Sequence, residues 1–175
     1  MSVAEYTPGN RLIETPRWTL ERAVRNVDGR PVLLKSGTRT AESARSVDLE
    51  REFELLDGLN IGGVPRPLDV IRDTKGYCLV LEDAGFGVLA TRLAHERPTV
   101  EAFLTFGIDL CGIVGALHRR DLIHGSLSTS GLLVGDSYAA VQIVDFTLTH
   151  KFGDSCCWHP DSSLFSSQSG IIYIR

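Results

Sequence analysis

Three neighbouring stretches in the second half of the chain decide the fold: residues 117–127 read LHRRDLIHGSL, residues 131–134 read GLLV and residues 141–147 read VQIVDFT. A helical apolar pattern precedes them from Thr99, a good N-cap residue, to Arg120, whose charge suits the C-terminal end of a helix. The two short apolar runs predict strands at Gly131–Val134 and Val141–Val144. A long helix, a polar loop and a strand pair ending in Asp145 therefore follow one another.

The first half of the chain reads as strands with one helix among them. The β-prone runs are Trp18–Val24, Pro31–Lys35, Pro67–Arg72 and Tyr77–Glu82. Asp28-Gly29 lies between the first two and is a strong hairpin signal, because glycine accepts the positive φ that such turns need. An apolar stripe predicts a helix over Ala41–Leu59. The pattern as a whole indicates an α+β fold class.

Length, composition and charge narrow the class of protein. The chain has 175 residues, enough for one domain with a core, and a formal net charge of -4 without a long basic run, which argues against binding nucleic acid through its phosphates. The four cysteines match no disulfide framework, so a reducing compartment is expected. We find no signal peptide and no apolar run that approaches a membrane span, and we therefore expect a cytoplasmic protein.

A lysine and a glutamate form the first candidate site. Lys35 ends the apolar run Val32–Lys35, and Glu52 lies on the predicted helix that follows. A lysine at the end of a strand is usually a solvated edge residue. Paired with a helix glutamate, however, it is how kinases hold a cation against the α- and β-phosphates of ATP.

Taken together, these segments resemble the protein kinase superfamily, with its run L-H-x-x-x-x-I-H-R-D-x-x-x-x-N-x-L and a following strand that ends in D-F-G. The resemblance covers roughly Leu12 to Tyr173. It implies a protein-kinase-like fold with a complete N-lobe and hinge at about 11–83, built from an antiparallel sheet plus one helix. The C-lobe, at about 84–175, is then incomplete and ends in an activation segment at Gly170–Ile174.

Within the kinases, the chain resembles the N-terminal kinase-like domains of large fused proteins that also carry an ATPase module and a sensor histidine kinase. The resemblance implies cofactor-binding roles for Lys35, Glu52, Leu81 in the gatekeeper position, Asp83 in the hinge and Asp145. Asp145 would also be the metal ligand. The implied cofactors are ATP and Mg²⁺, both weakly bound.

The catalytic loop departs from the family pattern at several positions. Ser126 stands where the catalytic aspartate is expected, and a serine hydroxyl is not an ionisable base near neutral pH. Gly131 replaces the metal-binding asparagine, Ser128 the loop lysine and Gly125 the arginine, and Glu14–Leu20 contains no glycine where a glycine-rich loop is expected. These losses together predict at most weak ATP binding and a failure of phosphate transfer.

Three functions remain open after these observations. The leading one is a pseudokinase with residual ATP binding and a regulatory or scaffolding role; the alternatives are an active atypical Ser/Thr protein kinase and a non-functional truncated remnant. In a full kinase, further helices cover the apolar face of the Thr99–Arg120 helix, so a protein partner or the missing part of the C-lobe is expected to cover it here. Cys156, Cys157 and His159 lack the usual ligand spacing of a zinc site.

Overall fold

The computed structural model describes residues 3–37, 44–73 and 76–153. It divides into two compact units, the first made of Met1–Asn60 with Val64–Phe86 and the second of Ile61–Gly63 with Gly87–Arg175. The predicted activation segment and the cluster of Cys156, Cys157 and His159 lie outside the described residues. The α+β class with an antiparallel sheet and few helices is confirmed.

The first unit is a five-stranded antiparallel sheet with one helix. Its strands are β1 (Tyr6–Glu14), β2 (Trp18–Arg25), β3 (Pro31–Gly37), β4 (Pro67–Asp73) and β5 (Gly76–Glu82), in the order β1-β2-β3-β5-β4. Helix α1 covers Ala44–Asp57 and packs against β3, β4 and β5. Strand β1 was not predicted, because only Tyr6 and Ile13 are buried along it and its pairing with β2 is interrupted by register shifts.

The turn between β2 and β3 sets the register that positions the candidate lysine. Gly29 adopts a φ of 69°, and the N–H of Arg25 donates to the carbonyl of Arg30 at 2.9 Å. From this turn the strands pair residue by residue, so that Leu20 lies opposite Lys35 and Trp18 opposite Gly37. Because side chains alternate between the two faces of a sheet, Trp18, Leu20 and Lys35 share one face.

The opposite face of this sheet carries an apolar cluster. Its buried members are Tyr6, Ala23, Val32, Leu34, Ile71, Cys78 and Val80.

Helix α1 has one buried side. Leu49 and Leu56 are buried, and Glu52 lies between them on the same side of the helix. The helical stripe therefore presents Glu52 to the packed side rather than to solvent.

In its described part, residues 61–63 and 87–153, the second unit combines two α-helices with short strands. Its elements are β6 (Gly87–Val88), α2 (Leu89–His95), α3 (Val100–His118), β7 (Leu122–Ile123), β8 (Leu132–Val134), β9 (Val141–Ile143) and β10 (His150–Lys151). The Thr99 hydroxyl accepts from the N–H of Ala102 at 3.2 Å, as predicted for the N-cap of α3. Strands β6–β8–β9 form one sheet and β7 pairs with β10. The elements that were not predicted here have seven residues or fewer, too short for a periodic pattern.

Helix α3 buries one end and exposes apolar side chains at the other. Ile113, Val114 and Leu117 are buried, whereas Val100, Phe103, Leu104 and Ile108 are exposed. Over the described ranges, α3 is the helix whose length and composition would allow it to cross a bilayer, a test that core helices also pass. This differs from the expectation that no apolar run approaches a membrane span.

Candidate functional site

Lys35 and Glu52 form a buried ion pair in the first unit. The Lys35 ammonium donates to both carboxylate oxygens of Glu52, at 2.8 Å to Oε1 and 2.7 Å to Oε2. Both side chains are 0 % exposed. A charge-assisted contact to both oxygens fixes the direction of the ammonium as well as its charge. The two residues that the sequence predicted as partners are therefore brought together.

Trp18 covers this pair from the neighbouring strand. Its ring centroid lies 4.5 Å from Lys35 Nζ, within the range of a cation–π contact, and the residue is 6 % exposed. The turn before it is held by Thr15, whose hydroxyl donates to the Trp18 carbonyl at 2.8 Å and accepts from the Trp18 N–H at 2.9 Å. The stretch expected to hold a glycine-rich loop is a tight turn ending in an aromatic residue.

Asp83 and Leu81, the hinge and gatekeeper residues predicted to bind cofactor, are packed within the first unit. The Arg22 Nε donates to Asp83 Oδ2 at 2.7 Å, and its Nη2 donates to the carbonyl of Phe86 at 2.5 Å. Asp83 also accepts from the N–H of Gly85 at 2.7 Å. Leu81 is fully buried on β5. Sequence reasoning had not identified Arg22, which lies 61 positions before its partner.

The loop after α3, in the second unit, contains Ser126, the residue predicted to stand in place of the catalytic base. Ser126 Oγ donates to the backbone carbonyl of Asp145 at 3.3 Å. Just before it, Gly125 has a φ of 77°, and an added Cβ there would meet the Leu148 carbonyl oxygen at 2.9 Å. His124 is buried edge-on against Phe146, with ring centroids 4.9 Å apart. The loop is therefore packed closely, and the Ser126 hydroxyl is directed to the backbone.

Asp145, the predicted metal ligand, is held by Thr147. Its Oδ1 accepts from the Thr147 hydroxyl at 2.7 Å and from the Thr147 N–H at 3.3 Å. Gly131 lies beside it, and a Cβ added to Gly131 would stand 3.3 Å from Asp145 Cβ. The N–H of Gly131 donates to the Ser128 hydroxyl at 3.2 Å. A side chain at Gly131, the residue predicted to replace the metal-binding asparagine, would therefore be tightly packed against Asp145 and Ser128.

The acidic and metal-ligating side chains of the described residues do not cluster. Among residues 3–37, 44–73 and 76–153, no group of three or more His, Cys, Asp or Glu side chains could hold a metal ion. Mg²⁺ in kinase sites is held by carboxylate and amide oxygens together with phosphates, so Asp145, the predicted ligand, would need phosphate oxygens to complete such a site. In the first unit, the Lys35 ammonium has the charge that a phosphate contact would require.

The order of these parts agrees with a comparison of the sequence with known families. A family model for protein tyrosine and serine/threonine kinases matches residues 18–162, well over half of the chain. The chain belongs to this kinase family. Its membership explains why a strand lysine, a helix glutamate and a strand-end aspartate occur in this sequence order.

Two curated relatives in this family match parts of the chain. Over 87 residues it is 28% identical to protein kinase ORF14 of Ictalurid herpesvirus 1 (strain Auburn), covering 49% of this chain and 22% of that protein. Over 132 residues it is 29% identical to EKC/KEOPS complex subunit BUD32 of Encephalitozoon cuniculi (strain GB-M1), covering 71% and 62%. The matches therefore span about a fifth and about three fifths of the length of these relatives.

Besides Arg22, the residues Trp18 and Thr147 were not among the predicted site residues. Trp18 lies in Glu14–Leu20, a stretch considered only for its lack of glycine, and Thr147 ends the run at residues 141–147. A signal for Trp18 was present, because the Asp28-Gly29 turn and the alternation of strand side chains place it on the Lys35 face. The contact of Thr147 with Asp145 depends on side-chain rotamers, which no sequence period reports.

Proposed function

We propose that this kinase-family chain is a pseudokinase that binds ATP weakly through Lys35, Glu52 and Asp145, with Mg²⁺ at most weakly held, and that it acts as a regulator or scaffold in the cytoplasm. The observation that carries the proposal is the buried pair of Lys35 with both oxygens of Glu52. A buried ion pair is seldom better for stability than apolar residues of the same size. Its presence in a member of a nucleotide-binding family therefore supports a ligand contact.

The loss of transfer chemistry is supported by the loop. General-base catalysis needs a group that accepts a proton from the substrate hydroxyl, and a serine hydroxyl cannot do so near neutral pH. The Ser126 hydroxyl is directed to a backbone carbonyl. With Gly131 beside Asp145, the second metal ligand is absent as well. General acid–base catalysis contributes about 10²–10⁴ in rate, so its loss together with the loss of a metal ligand leaves little turnover.

A thermal-shift titration with ATP, with and without Mg²⁺, tests the binding proposal. Ligand at about ten times its Kd stabilises a protein by about 1.4 kcal/mol, which such a titration resolves. The control is the double variant Lys35→Met/Glu52→Met, which removes both charges without leaving either one buried alone. We expect a shift in the wild type and none in the control. A wild type without any shift would favour the remnant.

An active Ser/Thr protein kinase is the second candidate, favoured by the relative that is named a protein kinase. A phosphotransfer assay with radiolabelled ATP and general protein substrates separates the two. The pseudokinase proposal predicts no incorporation above the level of the variant Asp145→Ala. Robust turnover that disappears in Asp145→Ala would establish the active kinase instead.

We further propose that protein covers the exposed apolar side of α3 in the functional assembly, either a partner or further chain of the same fold. Val100, Phe103, Leu104 and Ile108 are large, apolar and exposed on this helix. Leaving such a stripe in water costs roughly 25 cal/mol per Å² of apolar surface. A sharp, cooperative calorimetric melt of a chain that ultracentrifugation shows to be monomeric would contradict the proposal.

A further inference from the structure

We propose that Trp18 controls access to the Lys35–Glu52 pair, so that a polyphosphate ligand reaches the Lys35 ammonium only after the indole has moved aside. The inference rests on the proposed nucleotide binding and goes beyond it, since it names the residue that limits the affinity. The first observation is position. The ring centroid of Trp18 lies 4.5 Å from Lys35 Nζ.

The second observation is the burial of both partners. Lys35 is 0 % exposed and Trp18 is 6 % exposed. The Lys35 ammonium contacts two carboxylate oxygens and the face of the Trp18 indole, and both stabilise its positive charge. An anionic oxygen that approaches the ammonium from the side of Trp18 must therefore displace the ring.

The third observation is that the backbone of Trp18 is held by the turn before it. The tight turn before Trp18 is closed by backbone and side-chain hydrogen bonds from Thr15, including Thr15 N–H to the Trp18 carbonyl at 2.9 Å. Pro16, next in the turn, has a fixed φ, which limits the freedom of the segment further. Glycines at such a position would let backbone amides approach a phosphate, whereas this turn presents an indole.

The expected size of the effect follows from the contact. A desolvated cation–π interaction changes an equilibrium by about thirtyfold. Replacing Trp18 by a residue without a ring should therefore raise both the accessibility of the Lys35 amine and the affinity for a polyphosphate by roughly ten- to thirtyfold. Phenylalanine keeps a ring at the same place and should retain most of the protection.

Competitive labelling of lysines by acetic anhydride tests the proposal without any nucleotide. The chain has three lysines, Lys35, Lys75 and Lys151. Lys151 is exposed and serves as the internal standard. Peptide mass spectrometry of the full chain gives the ratio of Lys35 to Lys151 labelling. We expect this ratio to rise roughly tenfold or more in Trp18→Leu and to stay near the wild-type value in Trp18→Phe.

A ratio that is unchanged in Trp18→Leu would overturn the proposal, whether or not ATP binds. Should Trp18→Leu fail to fold by circular dichroism, Thr15→Ala replaces it, because loosening the turn should also raise the ratio; an unchanged ratio there overturns the proposal equally. The same variants are then titrated with inorganic tripolyphosphate by calorimetry. Labelling that rises while neither tripolyphosphate nor ATP binds supports the Trp18 cover and refutes nucleotide binding. A labelling ratio that stays constant while ATP binds refutes the Trp18 cover and supports nucleotide binding.

Discussion

Removing the charge of Lys35 should destabilise the first unit strongly. The variant Lys35→Met keeps most of the volume of the side chain but removes the ammonium that contacts the buried Glu52 carboxylate. Breaking a buried ion pair by removing one partner costs about 3–5 kcal/mol. The cation–π contact with Trp18 is lost at the same time, which adds up to about 2 kcal/mol. We therefore expect a loss of at least about 3 kcal/mol in the free energy of unfolding.

The double variant Lys35→Met/Glu52→Met should recover most of this loss. Apolar residues of similar volume in place of a buried pair are often neutral or stabilising, because no charge then needs to be desolvated. Urea denaturation followed by far-UV circular dichroism measures all variants. With slopes of about 1–3 kcal/mol/M, a loss of 3 kcal/mol lowers the midpoint by about 1–3 M.

The cycle of wild type, two single variants and double variant has a clear refuting result. If Lys35→Met costs less than about 1 kcal/mol, or if the effects of the single variants simply add in the double variant, the two groups are not coupled in a buried site. The pair would then be a solvated contact. The argument that it is held ready for a phosphate would be wrong.

Three further predictions concern other parts of the chain. Gly63→Ala should destabilise the second unit by about 2–5 kcal/mol in the same urea assay, because Gly63 has a φ of +84° and an added Cβ would lie 2.1 Å from a side-chain carbon. The control Gly62→Ala should be nearly neutral, because a Cβ there would meet no atom within 4 Å. The hydrogen bond from Arg25 lowers the pKa of Asp28 to about 2, so NMR should show its carboxyl titrating there, and Arg25→Ala should raise that pKa. Since the folded pKa of Asp28 is depressed, its contribution to the stability of the fold is present above the ordinary pKa of an aspartate and is lost as pH falls towards 2. An NMR titration midpoint of Asp28 that does not move in Arg25→Ala would disprove the pairing. Ser126→Asp should leave radiolabelled phosphotransfer undetectable, because one restored carboxylate does not supply the missing metal ligand and loop cation, and measurable turnover in this variant would contradict that reasoning.

Much of the fold was open to prediction because its signals are local. The helical stripe of α1, the N-cap at Thr99 and the Asp28-Gly29 turn each act within one or two turns of chain, and each is found in the structure. The short strands β6, β7 and β10 were not predicted, because their formation depends on distant partners rather than on a local signal. Two residues that pair with a distant segment leave no periodic pattern in their own window.

Residue identity and spacing along the chain were enough to predict the order of the kinase parts, the pairing of Lys35 with Glu52, and the lack of a carboxylate at Ser126. The surroundings of these residues could be read only from the folded chain. The indole of Trp18 lies on Lys35, the guanidinium of Arg22 is bound to Asp83 from 61 positions away, and the hydroxyl of Thr147 is bound to Asp145. Such contacts depend on the register of packed strands and on side-chain rotamers, so they arise only when the chain has folded.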